Sequence, residues 1–249
     1  MSQPRIRMFA GPNGSGKSTI IQYLLPHQIG AYLNADDLEK QLKQTQRLDL
    51  SHYHDRLDAS KLIIFLTSKN KKHGDLISPL LSQNPVVQQK IIQFSSFDID
   101  SYLAARIIDF IRFEFLTLKI SFTFETVMSH DSKVDFLKQA QQKGFKTYLY
   151  YVATVDPEIN IGRVHYRVQT GGHIVPEHKI RERYYRSLDL LMSAVEHSDR
   201  CFLFDNSSNG QKASFLAEIQ SAEQLKLNPE LKQYPAWFVD KVLSEFTDE

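Results

Sequence analysis

The segment Gly11-Pro12-Asn13-Gly14-Ser15-Gly16-Lys17-Ser18 constrains this chain more than any other part of it. A short apolar run, Ile6-Arg7-Met8-Phe9-Ala10, precedes it, and Ser18 to Leu25 reads as a helix that stops before Pro26. A strand, a turn with the spacing G-x-x-x-x-G-K-[ST] and a helix make a phosphate-binding loop. Its glycines let backbone N–H groups turn toward phosphate oxygens, and the helix N-terminus adds partial positive charge. In such a loop Lys17 reaches the β- and γ-phosphates and Ser18 offers its hydroxyl to Mg²⁺. The expected cofactors are therefore ATP and Mg²⁺, with Ser18 as the metal-side residue.

Further strands are expected at Ala31–Leu33, Ser121–Glu125, Phe145–Ala153 and Cys201–Phe204, with helices between them. A polar helix follows Asn34-Ala35-Asp36-Asp37, another lies around Leu57–Leu66, and a third spans Ile99–Leu118 on its apolar spacing. Ser132-x-x-Asp135 has the form of a capping box that opens a helix ending at Gly144. Alternating strands and helices predict an α/β fold, a P-loop NTPase of kinase type. It has a parallel five-stranded sheet, helices on both faces and a helical lid. The expected organisation is a single P-loop kinase-like domain over residues 1–249. Within it, about 45–97 is a helical or irregular insertion, about 156–197 carries the lid helices, and about 227–249 holds a C-terminal helix from Pro229 to Phe246.

Ligands in such sheets bind beyond the carboxyl ends of the strands. That rule draws the loop, Asp36, Glu125 and Asp205 toward one edge. A carboxylate there can take the proton from an acceptor hydroxyl during phosphoryl transfer, which makes Asp36 a candidate base. An N-cap of the following helix is its structural alternative. Glu125 can serve an acceptor hydroxyl or the water shell of the metal. Asp205, followed by Asn206-Ser207-Ser208, reads better as a turn residue than as a metal ligand. It closes the last expected strand, and such strands often lie at the sheet edge.

Asp156-Pro157-Glu158 opens a helix, and Arg163 and Arg167 share one of its faces. Thr170-Gly171-Gly172-His173 ends it, and Pro176-Glu177 opens a second helix bearing Arg181, Arg183 and Arg186. A helical pair lined with arginine suits a lid that neutralises phosphoryl charge and excludes water. A solvated basic surface is the alternative. His52 and His54 lack metal-ligand spacing.

The chain has 249 residues and a formal net charge of +1, so it lacks the basic excess usual in nucleic-acid binders. A nucleic-acid partner is therefore not expected. Its one cysteine, Cys201, cannot form an intramolecular disulfide. No signal-peptide pattern and no apolar run of about 20 residues occur, so a cytoplasmic chain with no membrane partner is expected.

Taken in order, several segments resemble the zeta-toxin family of P-loop kinases. They are Gly11–Thr19, Asn34–Asp37, Phe124-Glu125-Thr126-Val127-Met128-Ser129, Arg163–Val168 leading to Gly171–Glu177, and Arg183-Tyr184-Tyr185-Arg186-Ser187-Leu188. The resemblance spans roughly residues 5–206, in its shorter, single-domain branch. It implies ATP-dependent phosphorylation of a small-molecule hydroxyl, with UDP-N-acetylglucosamine the acceptor in the best-known members and an antitoxin protein as partner. It implies that Gly11, Pro12, Asn13, Gly14, Ser15, Gly16, Lys17, Ser18 and Thr19 bind the nucleotide and that Asp36 is the general base. Glu125 and Thr126 then lie on the acceptor side, and Arg163 or Arg167 contacts the phosphates. The stretch 45–97 is longer than the family's usual spacing. Two other readings stay open: a kinase for another nucleotide or a polynucleotide end, and a non-catalytic ATP-dependent interaction protein.

Overall fold

The computed structural model describes residues 3–67, 85–94, 99–170 and 174–247. The expected Gly171-Gly172-His173 turn and the basic run Lys69–Lys72 lie outside the described residues. In chain order the elements are β1 (Arg5–Ala10), α1 (Lys17–Ile21), α2 (Pro26–Ile29), β2 (Ala31–Leu33), α3 (Ala35–Thr45), β3 (Arg47–Asp49), α4 (Ala59–Thr67), β4 (Val86–Gln88) and β5 (Ile91–Gln93). Then come α5 (Ser101–Leu118), β6 (Phe122–Thr126), α6 (Ser132–Gln142), β7 (Lys146–Ala153), α7 (Pro157–Gln169), α8 (Glu177–Asp189), α9 (Leu191–Glu196), β8 (Arg200–Asp205), β9 (Ser214–Gln220) and β10 (Gln224–Leu227). The chain forms two compact units, Met1–Gly30 with Ser121–Glu249, and Ala31–Ile120. Among the described residues no helix is long and apolar enough to cross a membrane.

The first unit carries strands in the order β10-β9-β8-β7-β1-β6. β1 pairs in parallel with β6 and β7, and β7 with β8. The registers pair Ala10 with Thr126 and with Tyr151, and Ala153 with Asp205, so four parallel strands end together. β1 has this place because it is apolar on both faces: Ile6, Met8, Phe9 and Ala10 are all fully buried. Phe122 and Phe124 of β6 are fully buried as well, and Phe136 of α6 meets Phe124 edge-on at 5.5 Å. The Thr123 hydroxyl, also buried, donates to the Ile29 carbonyl at 2.6 Å.

The sheet is less purely parallel than expected. β9 and β10 run antiparallel beside β8, so β8 lies inside the sheet and not at its edge. Two other details differ. α6 begins after Asp131 with no side-chain cap, and the Ser132 hydroxyl engages His130 Nδ1 at 3.1 Å, so the expected capping box does not form. The C-terminal helix starts only at Ala236, passes through a π-turn at Val239–Leu243, and resumes at Ser244–Thr247. Pro235, at ψ 147°, is extended, and proline disfavours helix in the residue before it, so a helix from Pro229 cannot run through.

In the second unit the Asn34 side chain caps α3, accepting from the Asp36 N–H at 2.9 Å. Asp100 caps α5 by accepting from the Leu103 N–H at 2.8 Å. Leu103, Ile107, Phe110 and Ile111 form the buried stripe of α5, against which α3 and α4 pack. Within the expected insertion, β3, β5 and β4 form a three-stranded antiparallel sheet that its sequence did not announce.

Candidate nucleotide site

The loop after β1 and the first turn of α1 form the core of the site. Gly14 and Gly16 have φ of 74° and 95°, left-handed values that glycine adopts without strain. Lys17 folds back over the loop, donating from Nζ to the carbonyls of Gly11 at 2.8 Å and Pro12 at 2.9 Å. Its ammonium is thus held against the loop's own backbone. The side-chain oxygens of Asn13 and Ser15 are buried with no hydrogen-bond partner among the described residues. Buried polar atoms without partners are uncommon, so the loop carries unused polar capacity.

Ser18 opens toward β6. Its hydroxyl donates to Glu125 Oε2 at 3.1 Å. The pairing of Phe9 with Glu125 across β1 and β6 sets this approach, because it ends β6 beside the start of the loop. A hydroxyl next to a carboxylate is a hard oxygen pair, the donor set Mg²⁺ takes together with phosphate oxygens and water. Among the described residues no cluster of three or more His, Cys, Asp or Glu side chains gathers. One or two protein oxygens suffice for Mg²⁺ in nucleotide sites, so the residues present fit the ion. Thr126 uses its hydroxyl locally, accepting from the Met128 N–H at 3.1 Å and holding Met128 at φ 53°. Thr19 is exposed on α1, and its N–H donates to the Gly16 carbonyl at 3.0 Å.

Asp205 is a turn residue. It accepts from the Ser207 N–H at 3.0 Å, the Ser207 hydroxyl at 2.8 Å and Trp237 Nε1 at 3.2 Å. Its carboxylate oxygens are occupied, whereas the Glu125 carboxylate meets the Ser18 hydroxyl.

α7 and α8 pack on each other through Ile161, Val164 and Ile180, with Val168 and Val175 beside them. Their arginines divide by partner. Arg181 makes a two-pronged contact with Glu158, from Nε at 2.8 Å and Nη2 at 2.9 Å, and Arg186 pairs with Glu182 at 2.7 Å. Arg163 donates to the carbonyl of Asn206 at 2.7 Å and to that of Ser208 at 3.3 Å. Burial lowers the Arg163 pKa, and the nearby Asp205 charge opposes that shift. Arg167 is exposed and Arg183 half-buried, and neither guanidinium has a hydrogen-bond or carboxylate partner among the described residues.

Asp36 belongs to the second unit. It sits exposed in the first turn of α3, and because Asn34 supplies the cap its carboxylate is not used for capping. Asp37 beside it has a raised pKa, from desolvation first and the Asp36 charge second, partly offset by Lys40.

Two residues close to the loop carry no sequence motif. Asn160 is fully buried, and its Nδ2 donates to the Asn13 carbonyl at 2.6 Å. Asn206 Nδ2 donates to the Ser15 carbonyl at 2.8 Å.

No family model matches the chain. One curated relative, an uncharacterised protein of Haemophilus influenzae, is 35% identical over 65 residues, which is 26% of this chain and 46% of that protein. Among solved structures, AvrRxo1-ORF1:AvrRxo1-ORF2 with sulphate ions aligns at TM-score 0.53 and 12% identity, covering 90% of this chain and 61% of that one. The AvrRxo1-ORF1:-ORF2 structure with ATP gives TM-score 0.53 and 13% identity, covering 90% and 60%. A structure of the PezAT chromosomal toxin–antitoxin system of Streptococcus pneumoniae aligns at TM-score 0.48 and 13% identity, covering 100% of this chain and 80% of that one. The chain thus spans about three-fifths of the AvrRxo1 chains it matches. The likeness to the two AvrRxo1 chains shows the fold alone, an α/β architecture around a largely parallel sheet.

Proposed function

We propose that this protein is an ATP-dependent phosphotransferase that moves the γ-phosphoryl group of ATP to a small-molecule hydroxyl. The observation that carries the reading is the Ser18–Glu125 contact beside a complete phosphate loop. In it, the loop N–H groups and Lys17 hold the phosphates. To reach them, the Lys17 ammonium exchanges the Gly11 and Pro12 carbonyls for phosphate oxygens. Ser18 would hold Mg²⁺, which would neutralise charge on the phosphates, and Glu125 would orient the Ser18 hydroxyl or the metal's water.

In the transfer the bond from the γ-phosphorus to the β–γ bridging oxygen breaks and one to the acceptor oxygen forms. ADP leaves, and the acceptor's hydroxyl proton passes to a base, the role assigned to Asp36. Arg167, whose guanidinium has no carboxylate partner among the described residues, is the residue of α7 proposed to neutralise the phosphoryl group. The finer assignments are UDP-N-acetylglucosamine as acceptor, with Glu125 and Thr126 on its side, and a cytoplasmic setting. A protein antitoxin is the proposed partner. AvrRxo1-ORF1, whose fold this chain shares, is solved with ORF2 and with ATP, which supports both a nucleotide and a protein partner.

The test is transfer of label from γ-labelled ATP, with Mg²⁺, to UDP-sugars, nucleosides and oligonucleotides. Label on UDP-N-acetylglucosamine, absent in Lys17→Ala, supports the full reading. Label on another acceptor keeps the transferase and replaces the substrate. No label on any acceptor, with ATP bound, overturns the transferase reading.

A further inference from the structure

The phosphate loop is gripped from outside by two asparagines. Asn160, the fourth residue of α7, lends Nδ2 to the Asn13 carbonyl, while its Oδ1 accepts from the buried Thr154 hydroxyl. Asn206, just past β8, lends Nδ2 to the Ser15 carbonyl, and its own N–H donates to the Ala153 carbonyl at 2.8 Å. Both asparagines are themselves fixed, so they can act as templates. Turning the Asn13 and Ser15 carbonyls outward turns the N–H groups of the following peptides, at Gly14 and Gly16, the other way.

The glycines bear the imprint of the same two residues. A Cβ on Gly14 would lie 2.6 Å from the Asn160 carbonyl oxygen, and one on Gly16 would lie 2.2 Å from Asn206 Nδ2. Glycine is therefore needed here for closeness to these asparagines as well as for the turn. Arg163, on α7 three residues beyond Asn160, then binds the Asn206 carbonyl, the Ser208 carbonyl and, at 3.1 Å, Asn209 Oδ1.

We propose that Asn160 and Asn206 are positioning residues of the nucleotide site and that Arg163 acts on the loop through Asn206. The placement of α7 is thereby coupled to the conformation of the loop. Arg163 then serves the phosphates indirectly, through Asn206. The inference deepens the ATP-binding reading and rests on it for its effect on affinity.

The test compares wild type with Asn206→Ala, Arg163→Ala, their double mutant and Asn160→Ser. Three quantities are read on each: melting temperature, amide exchange of residues 11–18 without nucleotide, and Kd for a fluorescent ATP analogue with Mg²⁺. Asn206→Ala is expected to speed loop exchange about tenfold and to weaken ATP binding about tenfold, while it remains folded. The double mutant is expected to bind no more weakly than Asn206→Ala alone, since the two act in series. Should Asn160→Ser fail to fold, the Asn206 and Arg163 pair still decides the matter. Unchanged loop exchange and unchanged Kd in Asn206→Ala overturn the proposal, and additive losses in the double mutant overturn the route through Asn206. The exchange measurement needs no ligand. A wild type that binds no ATP, with a loop that Asn206→Ala still loosens, would sink the nucleotide reading and leave the clamp standing.

Discussion

The Ser18 hydroxyl donates to Glu125 Oε2 across 3.1 Å, joining the first turn of α1 to the last residues of β6. Neither residue lies in the other's sequence neighbourhood. The parallel pairing of β1 with β6 brings them together, and it does so at the strand ends, where α/β sheets bind ligands. Asp205 looks more like a metal-binding acid by sequence, with four apolar residues before it. Its oxygens are spent on Ser207 and Trp237.

Asp36→Ala is expected to bind ATP within about twofold of wild type and to lose transfer by a factor of about 10² to 10⁴, the usual range for a lost general base. Single-turnover kinetics alongside equilibrium binding measure both. Asn34→Ala serves as the contrast. It removes the cap of α3 and is expected to cost about 1 kcal/mol in urea denaturation. Full transfer in Asp36→Ala would remove Asp36 as the base.

The two arginine classes on α7 and α8 separate by kinetics. Arg167→Ala is expected to lower kcat about a hundredfold, because its guanidinium, with no carboxylate partner among the described residues, is proposed to meet charge that develops in transfer. Arg181→Ala is expected to leave kcat within about twofold, since Arg181 is engaged with Glu158 and Glu177 at the surface. Equal losses in the two variants would contradict this division.

Burial, with the Asp37 charge adding to it, pushes the Tyr53 hydroxyl up to about 12 from its ordinary 10.0. A raised folded pKa means the native state keeps the proton longer than the unfolded chain does. This contribution to stability is therefore complete below pH 10 and is lost as pH rises from about 10 to about 12. Tyr53→Phe should show a shallower alkaline loss of stability than wild type in urea midpoints taken from pH 9 to 12. Identical slopes in the two proteins would contradict the assignment.

Phe124 lies fully buried between Phe122 and Phe136, one residue before Glu125. Phe124→Ala is expected to cost about 3–5 kcal/mol in denaturant unfolding. A loss below about 1 kcal/mol would mean that the end of β6 is not held by this aromatic cluster.

The loop, β1 and the parallel strands are legible in the sequence because each signal is local: an apolar run, a spaced glycine motif, a helix cap. Asp156 with Pro157 opens α7 as its sequence announces, and Asp156 accepts from the Glu158 N–H at 2.8 Å. What is not legible depends on register or on unmarked turns. Asn160 and Asn206 meet the loop only once β7 and β8 are in place beside β1. The β9–β10 hairpin turns through Ser221 and Ala222 at φ 52° and 59°, residues that give none of the glycine or asparagine signal such turns usually carry. Arg163 and Arg167 look equivalent by spacing, and only the loop after β8 tells them apart.

The most direct measurement is the Kd for ATP with and without Mg²⁺ in wild type, Ser18→Ala and Glu125→Gln. In wild type Mg²⁺ should tighten ATP binding, and in Ser18→Ala about tenfold of that gain should vanish, with Glu125→Gln showing a smaller loss of the same kind. A Mg²⁺ dependence that is the same in all three proteins would contradict the assignment of Ser18 and Glu125 to the metal side of the nucleotide site.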